Sequence, residues 1–300
     1  MAKRFFYGGQ AVIEGVMIRG QKAMVTAVRR PDGNLAIDTQ PLTTLPTSWM
    51  RQTPLIRGII ALIESMVLGI RSLLYSANVS LEEEGEKASG GLAWIIVAVG
   101  FVLAFVLFFL IPLYLTKLFN FSSSFLFNLT DGIIRVVIFI AYLKVMTLLP
   151  DIKRVFAYHG AEHKAVNAFE AGVPMEVTAV REYSKAHTRC GTSFLFAVFI
   201  IAIIVFALIG LHSAWLMVLS RIILIPVIAA LSYELIYFGA RHTNNGLVRT
   251  VLAPGLWLQS LTTREPDDSQ LEVALSALKG AVEADQAEQT APPSPSIACQ

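Results

Sequence analysis

Charge is what this chain has least of. Asp, Glu, Lys and Arg make up 15% of its 300 residues, where a soluble domain carries about 25%. The shortage is local: none of the four occurs from Ala88 to Thr116 or from Cys190 to Ser220. Each gap exceeds the roughly 20 apolar residues that cross a bilayer as a helix. With 55% apolar residues overall, the composition points to an integral membrane protein with the lipid bilayer as its partner. Cysteine is nearly absent too. Cys190 and Cys299 give no disulfide framework, and Cys299 stands in a Pro/Ser-rich tail that suits no structural role. A net charge of +2 is too small to imply a nucleic-acid partner. Met1–Gln10 carries Lys3 and Arg4 but no apolar run long enough for a secretory signal, so insertion is expected to use internal helices. The chain has no Walker loop, dinucleotide fingerprint or Gly-x-Ser-x-Gly elbow, which argues against an NTPase or a serine hydrolase.

What is present predicts a mainly α, polytopic helical membrane protein of about four transmembrane helices with a small N-terminal β-rich cytoplasmic unit. That unit covers residues 1–50. Ala23–Arg30 and Asn34–Thr39 are β-prone runs around the turn Pro31-Asp32-Gly33-Asn34, and Gly8, Gly9, Gly15 and Gly20 punctuate the stretch before them. Residues 54–80 are helical in pattern, with Arg57, Glu64 and Arg71 seven apart on one face of an otherwise apolar helix. Such a stripe fits an amphipathic helix lying in the interface, the favoured reading; a spanning helix with its stripe turned to protein is the other. Glu82–Lys87 reads as a solvated connector. Spans follow at Leu92–Leu115, Phe125–Leu149, Thr192–Trp215 and Val218–Ala240. The second contains Asp131 and Arg135, four apart and able to pair, and Lys144, whose stem can reach water.

Ten Lys and Arg precede the first span and six lie between Asp151 and Arg189, while none lies between Leu118 and Arg135 or between Cys190 and Ser220. The positive-inside rule then places both termini and the central loop, 150–191, in the cytoplasm of a bacterial inner membrane protein. Beyond the last span, 241–287 is expected to be cytoplasmic, with Pro254–Leu261 resting at the interface and Ser269–Ala287 forming a soluble helix. Residues 288–300 read as a disordered tail.

The central loop holds the most informative stretch, from Tyr158-His159-Gly160-Ala161-Glu162-His163-Lys164 to Glu170, on a helix predicted from Pro150-Asp151 to Gly172. At about 100° per residue, His159, His163 and Glu170 fall within one arc with Glu162 beside them. Imidazoles at i and i+4 supply two metal ligands from one turn. His-x-x-Glu-His also matches the inverzincin order, in which the histidines hold zinc and the glutamate acts on water. Glu170 and Glu234 are candidate third ligands, the latter because a carboxylate inside a span is costly unless paired or metal-bound. A salt bridge to Arg241 or to a neighbouring helix is the plainer role for Glu234. His187-Thr188-Arg189-Cys190 adds an imidazole and a thiol that suit zinc, against the ordinary case of a small buried cysteine. His212, near Trp215, is expected at the opposite interface. Gly9–Gly15 and Arg19 are placed within reach of the site, although glycines here more often mean turns.

Gly8-Gly9-Gln10-Ala11-Val12-Ile13-Glu14-Gly15-Val16-Met17, Tyr158–Lys164, Arg189-Cys190-Gly191-Thr192-Ser193-Phe194, Ser232-Tyr233-Glu234, Pro254–Gln259 and Thr262–Pro266 together resemble the YqhQ-like bacterial membrane proteins, a family of unknown function (family 1385). This chain departs from the family in reading His187-Thr188-Arg189, where a proline follows the histidine. The resemblance implies a multispanning membrane protein of a kind labelled as predicted metal-dependent enzymes.

Two functional expectations stand. One is a metal-dependent membrane hydrolase: zinc or a similar divalent ion on His159 and His163, completed by His187, Glu170, Glu234 or Cys190, with Glu162 as general base and a lipid-linked or membrane-protein substrate. The other is a non-enzymatic scaffold or assembly factor whose His/Glu cluster only holds the fold. A transporter is weaker, since Glu234 and the Asp131/Arg135 pair are the charges at membrane depth, and four spans would then call for an oligomer.

Overall fold

A computed structural model describes residues 5–42, 48–81, 90–209, 213–242 and 244–290. The Glu82–Lys87 connector, His212, Cys299 and the tail beyond Thr290 lie outside the described residues.

The N-terminal unit is a four-stranded antiparallel meander, β1 (Gly8–Val12), β2 (Gly15–Arg19), β3 (Ala23–Arg29) and β4 (Leu35–Pro41), in the order β1-β2-β3-β4. The β3–β4 turn falls where Pro31–Asn34 predicts it, with Gly33 at φ 87° and the Asp32 side chain accepting from the Asn34 amide. The glycine-punctuated stretch before it also forms strands, so the unit is larger than its two obvious β runs.

Alternation along the strands sends side chains to two faces, and both are covered. Val16, Ile18, Val25 and Ala27 pack against α6 (Pro150–Glu170) and α11 (Asp268–Thr290). Val12, Met17, Met24 and Val28 pack against α2 (Ile56–Ser80). The apolar side of α11, Leu271, Ala274, Leu275 and Leu278, is buried on the sheet rather than solvated. Asp285 fastens its far end by accepting from the Gln21 and Lys22 amides and the Tyr7 hydroxyl.

Among the described residues, five helices are long and apolar enough to cross a membrane: Ile56–Ser80, Trp94–Lys117, Ser124–Met146, Gly191–Ile209 and Val218–Arg241. The second is one rod, α3 (Gly90–Phe105), a π turn (Val106–Leu110) and α4 (Ile111–Lys117). The wide turn sits just ahead of Pro112, which has no N–H to continue an α-helical ladder. The others are α5 (Ser124–Met146), α8 (Gly191–Ile209) and α9 (Ala214–Arg241), with α8 packed against both α5 and α9.

Several charges on these helices are paired within the protein. Asp131 Oδ2 accepts from Arg135 at 2.7 Å, as its spacing predicts, and also from Arg221 of α9 at 2.8 Å. The two guanidinium groups lie over the rings of Phe109 and Phe206. On α2, Arg57 pairs with Glu234 of α9 and Glu64 with Arg19 of β2, so two of its three charges face protein, while Arg71 is exposed. α2 joins the two halves of the molecule: Gly58 lies against Ala230 of α9, while Gly69, Ser72 and Ser76 meet the sheet.

Pro254–Leu261 belongs to a longer helix, α10 (Gly246–Thr262), packed on α8. Trp257 is exposed, but Leu258 and Gln259 are buried in the protein. Gly255 permits this approach, since a Cβ there would stand 3.2 Å from that of Ser193.

Candidate metal centre

Helix α6 begins at Pro150, where a missing N–H costs nothing, and stops at Ala171-Gly172, with Gly172 at φ 75°. Its one-turn spacing stacks His159 and His163 with ring centroids 4.4 Å apart. Cys190, immediately before α8, meets them: its Sγ lies 3.2 Å from His159 Nε2, and one ligand atom each from His159, His163 and Cys190 falls within 4.8 Å of the others.

The orientation of both imidazoles is set from behind. His159 Nδ1 donates to the Thr262 carbonyl at 2.9 Å and His163 Nδ1 to the Lys185 carbonyl at 2.7 Å. A carbonyl can only accept, so each Nδ1 carries the hydrogen and each neutral ring offers its Nε2 lone pair. Outer hydrogen bonds of this kind orient metal-binding histidines and raise their basicity. The Thr192 amide in the first turn of α8 donates to Cys190 Sγ at 3.4 Å, and the positive end of that helix favours a thiolate.

Burial raises the Cys190 thiol pKa, but the hydrogen bonds and charges of His159 and His163 outweigh it and hold it well below the ordinary range. His159 is raised: burial pulls it down, and Cys190 overcomes this. His163 reaches about 9, because Glu162 and Cys190 together outweigh the burial that lowers it. Glu162 is raised chiefly by burial, against the pull of both histidines. Its Oε1 accepts from the Gly9 amide of β1 at 3.0 Å, and its Oε2 lies 3.4 Å from His163 Nε2. A buried carboxylate with a raised pKa beside this ligand cluster is suited to accept and return a proton.

Three nominated ligands are engaged elsewhere. His187 lies beside His163, ring centroids 5.5 Å apart, but its Nε2 accepts from Arg189 at 3.1 Å, and burial and that neighbouring charge push its pKa down to about 3. Glu170 shares the predicted arc yet forms an ion pair with Arg189. Glu234 pairs with Arg57, the neighbouring-helix alternative rather than the Arg241 one. An arginine pairs with each carboxylate that the sequence offers as a third ligand, and Cys190 is the group that lies with the two histidines.

Residue spacing did not expose the supports. Gln259 accepts from the His187 amide and donates to its carbonyl, both at 2.9 Å, and so fixes the 185–190 segment that carries the Lys185 carbonyl and Cys190. A polar residue, Gln259, directly after the apolar run Gly255–Leu258 was the available signal. Gly160 lets α6 touch the segment after α10, because a Cβ there would stand 2.0 Å from the Arg264 carbonyl oxygen. Gly160→Ala should therefore shift α6 against the Thr262 carbonyl and cost about 1–3 kcal/mol. Thermal unfolding and zinc content should both fall, and an unchanged unfolding midpoint would contradict the contact.

The fold and this cluster define a mainly helical protein with membrane-length helices and a buried His/His/Cys centre beside a carboxylate. The chain belongs to the family described as "Protein of unknown function (DUF1385)", whose model matches residues 53–284. It is also similar to "Uncharacterized protein YqhQ" of Bacillus subtilis (strain 168), 36% identical over 287 residues and covering 90% of each chain. That alignment is too long to fit within 53–284 alone. No solved structure matches.

Proposed function

We propose that this chain is a metal-dependent hydrolase of the cytoplasmic membrane, with zinc held by His159, His163 and Cys190 and with Glu162 as general base. One observation carries the reading: two carbonyl-oriented imidazoles and a thiolate converge in a buried site next to a buried carboxylate. Three protein ligands, rather than four, are the number that catalytic zinc sites use. A divalent cation held by His159, His163 and Cys190 would supply Lewis acidity and ease the deprotonation of water. Glu162 Oε2 receives the proton while the Gly9 amide holds Oε1 in place. Glu162 then returns the proton to the leaving group.

The distribution of Lys and Arg supports cytoplasmic termini, with the sheet, α6 and α11 under the inner face and α2 at the interface. A site in that position suits a substrate presented from the membrane surface.

A second reading has its own observation. The 3.2 Å approach of Cys190 to His159 also suits a thiolate nucleophile, but that chemistry leaves His163 without a role. Metal analysis separates the two. Protein purified in mild detergent is expected to hold about one zinc per chain, lost to chelator together with activity. Zinc-free protein that is fully active and is inactivated by thiol alkylation would establish the nucleophile instead.

Zinc uptake should depend on pH in a fixed direction. Binding requires an unprotonated His163, whose pKa in the metal-free site is about 9. Protons therefore compete throughout the range below that value, and affinity should fall at least about tenfold per pH unit from 8 to 6, more steeply where His159, whose pKa is raised as well, takes up its own proton. Isothermal titration in buffers of different ionisation enthalpy measures the released proton.

A further inference from the structure

Helix α10 lies across the ends of three membrane-length helices. Leu252 meets Gly239, close to the end of α9, where an added Cβ would stand 2.9 Å from the leucine side chain. Gly255 meets Ser193, close to the start of α8. Leu258 packs with Leu143, in the last turn of α5. A rise of about 1.5 Å per residue puts each of these contacts within about 5 Å of a helix end.

The opposite side of α10 is turned away from the protein. Leu247, Val251 and Trp257 are 74%, 54% and 55% exposed, and Pro254 lies open between them. Positions three or four apart share a helix face, so these residues form one apolar stripe. At the same level Val145 of α5, Leu195 of α8 and Phe238 of α9 are exposed too, so the stripe continues the outer surface of the spans. Charge around it has a single sign. From Leu235 to Arg264 there is no Asp or Glu, while Arg241, Arg249 and Arg264 are all exposed. A basic, amphipathic helix at the end of a span matches an anionic lipid surface.

On its inner side the same helix carries the supports of the metal centre. The Thr262 carbonyl accepts from His159 Nδ1, and Thr262 Oγ1 lies 3.0 Å from that of Thr192. Gln259 holds the His187 backbone, midway between the Lys185 carbonyl that orients His163 and Cys190 itself. All three members of the cluster therefore lean on the last turns of α10.

We infer that the outer face of α10 is seated among the anionic headgroups and upper acyl chains of the leaflet beneath which the site lies, and that this seat holds the metal ligands in register. The second half rests on the zinc reading above. A shift of α10 carries the Thr262 carbonyl and Gln259 with it, and loss of such outer partners costs about 10–100-fold in metal affinity.

The test uses the full chain in lipid nanodiscs of phosphatidylcholine mixed with phosphatidylglycerol. Trp257 is kept as the single tryptophan by Trp49→Phe, Trp94→Phe and Trp215→Phe. Bromine on the acyl chains close to the headgroup should quench its fluorescence more than bromine at the chain ends, and dissolved acrylamide should quench it little. Quenching by acrylamide without quenching by bromolipid would overturn the seat. Protection from both would overturn it as well, and a larger particle mass would then identify a second copy as the cover. For the coupling, zinc affinity is measured in Leu247→Glu with Val251→Glu, a change at least two turns from Gln259 and Thr262. The variant should lose bromolipid quenching and bind zinc about tenfold more weakly or worse. The unaltered chain in phosphatidylcholine alone gives a comparison free of substitutions, and should also bind zinc more weakly than in the mixture. Zinc affinity that stays the same in either comparison would overturn the coupling. A chain that takes up no zinc in any disc removes the metal reading and the coupling with it, while the quenching still decides the seat.

Discussion

Glu162→Gln should retain zinc at the wild-type level and lower turnover by about 10²–10⁴-fold, the span usual for loss of a general base. The substitution is nearly isosteric. Its amide oxygen can still accept from the Gly9 amide, so the tie to β1 survives. What disappears is the ability to take a proton beside the ligand cluster. Burial raises the Glu162 pKa, and removing a buried ionisable group spares its desolvation, so the variant should fold at least as stably as the parent. The expected result is a stable, metal-loaded and inert protein, seen by elemental analysis, thermal unfolding and hydrolysis rate together. A scaffold whose His/Glu cluster only holds the fold predicts the reverse, with stability affected and no turnover to lose. Full activity in Glu162→Gln would remove the residue from the mechanism.

Replacing the ligands tests the other half of the site. Cys190→Ser should weaken zinc binding on the order of a hundredfold or more, and His159→Ala with His163→Ala should abolish stoichiometric binding. Serine keeps the size of the side chain but not the thiolate that the two imidazoles and the α8 amide stabilise. The controls are Glu170→Gln and Glu234→Gln. Each carboxylate faces an arginine and not the cluster, so zinc content should be unchanged in both. Glu234→Gln should instead loosen α2 from α9, seen as a lower unfolding midpoint. Zinc loss in either control would mean that the carboxylate reaches the metal after all.

Periodicity and spacing made much of this molecule legible. The uncharged runs mark α3–α4 and α8 because a membrane-length apolar helix needs no distant partner to declare itself. Pro150 and Gly172 bracket α6, and an i, i+4 pair of histidines must share a helical face. The 1.5 Å rise per residue alone brings His159 and His163 together. The third member of the cluster was different. Glu170 and Glu234 stood ahead of Cys190, whose ordinary role is that of a small buried residue, and only packing shows that Arg189 and Arg57 claim the two carboxylates. Arg221 escaped notice as a partner of Asp131 for the same reason: the two are 90 positions apart.

Local sequence was therefore enough for the membrane-length helices, the β3–β4 hairpin and the His-x-x-Glu-His helix, because each depends on contacts within a few residues. Tertiary structure alone decided that Cys190 joins the histidines, that the Thr262 and Lys185 carbonyls orient them, and that the Gly9 amide reaches Glu162. These are contacts between segments far apart in the chain. Their strength depends on distance and direction in space, quantities that residue type and spacing do not contain.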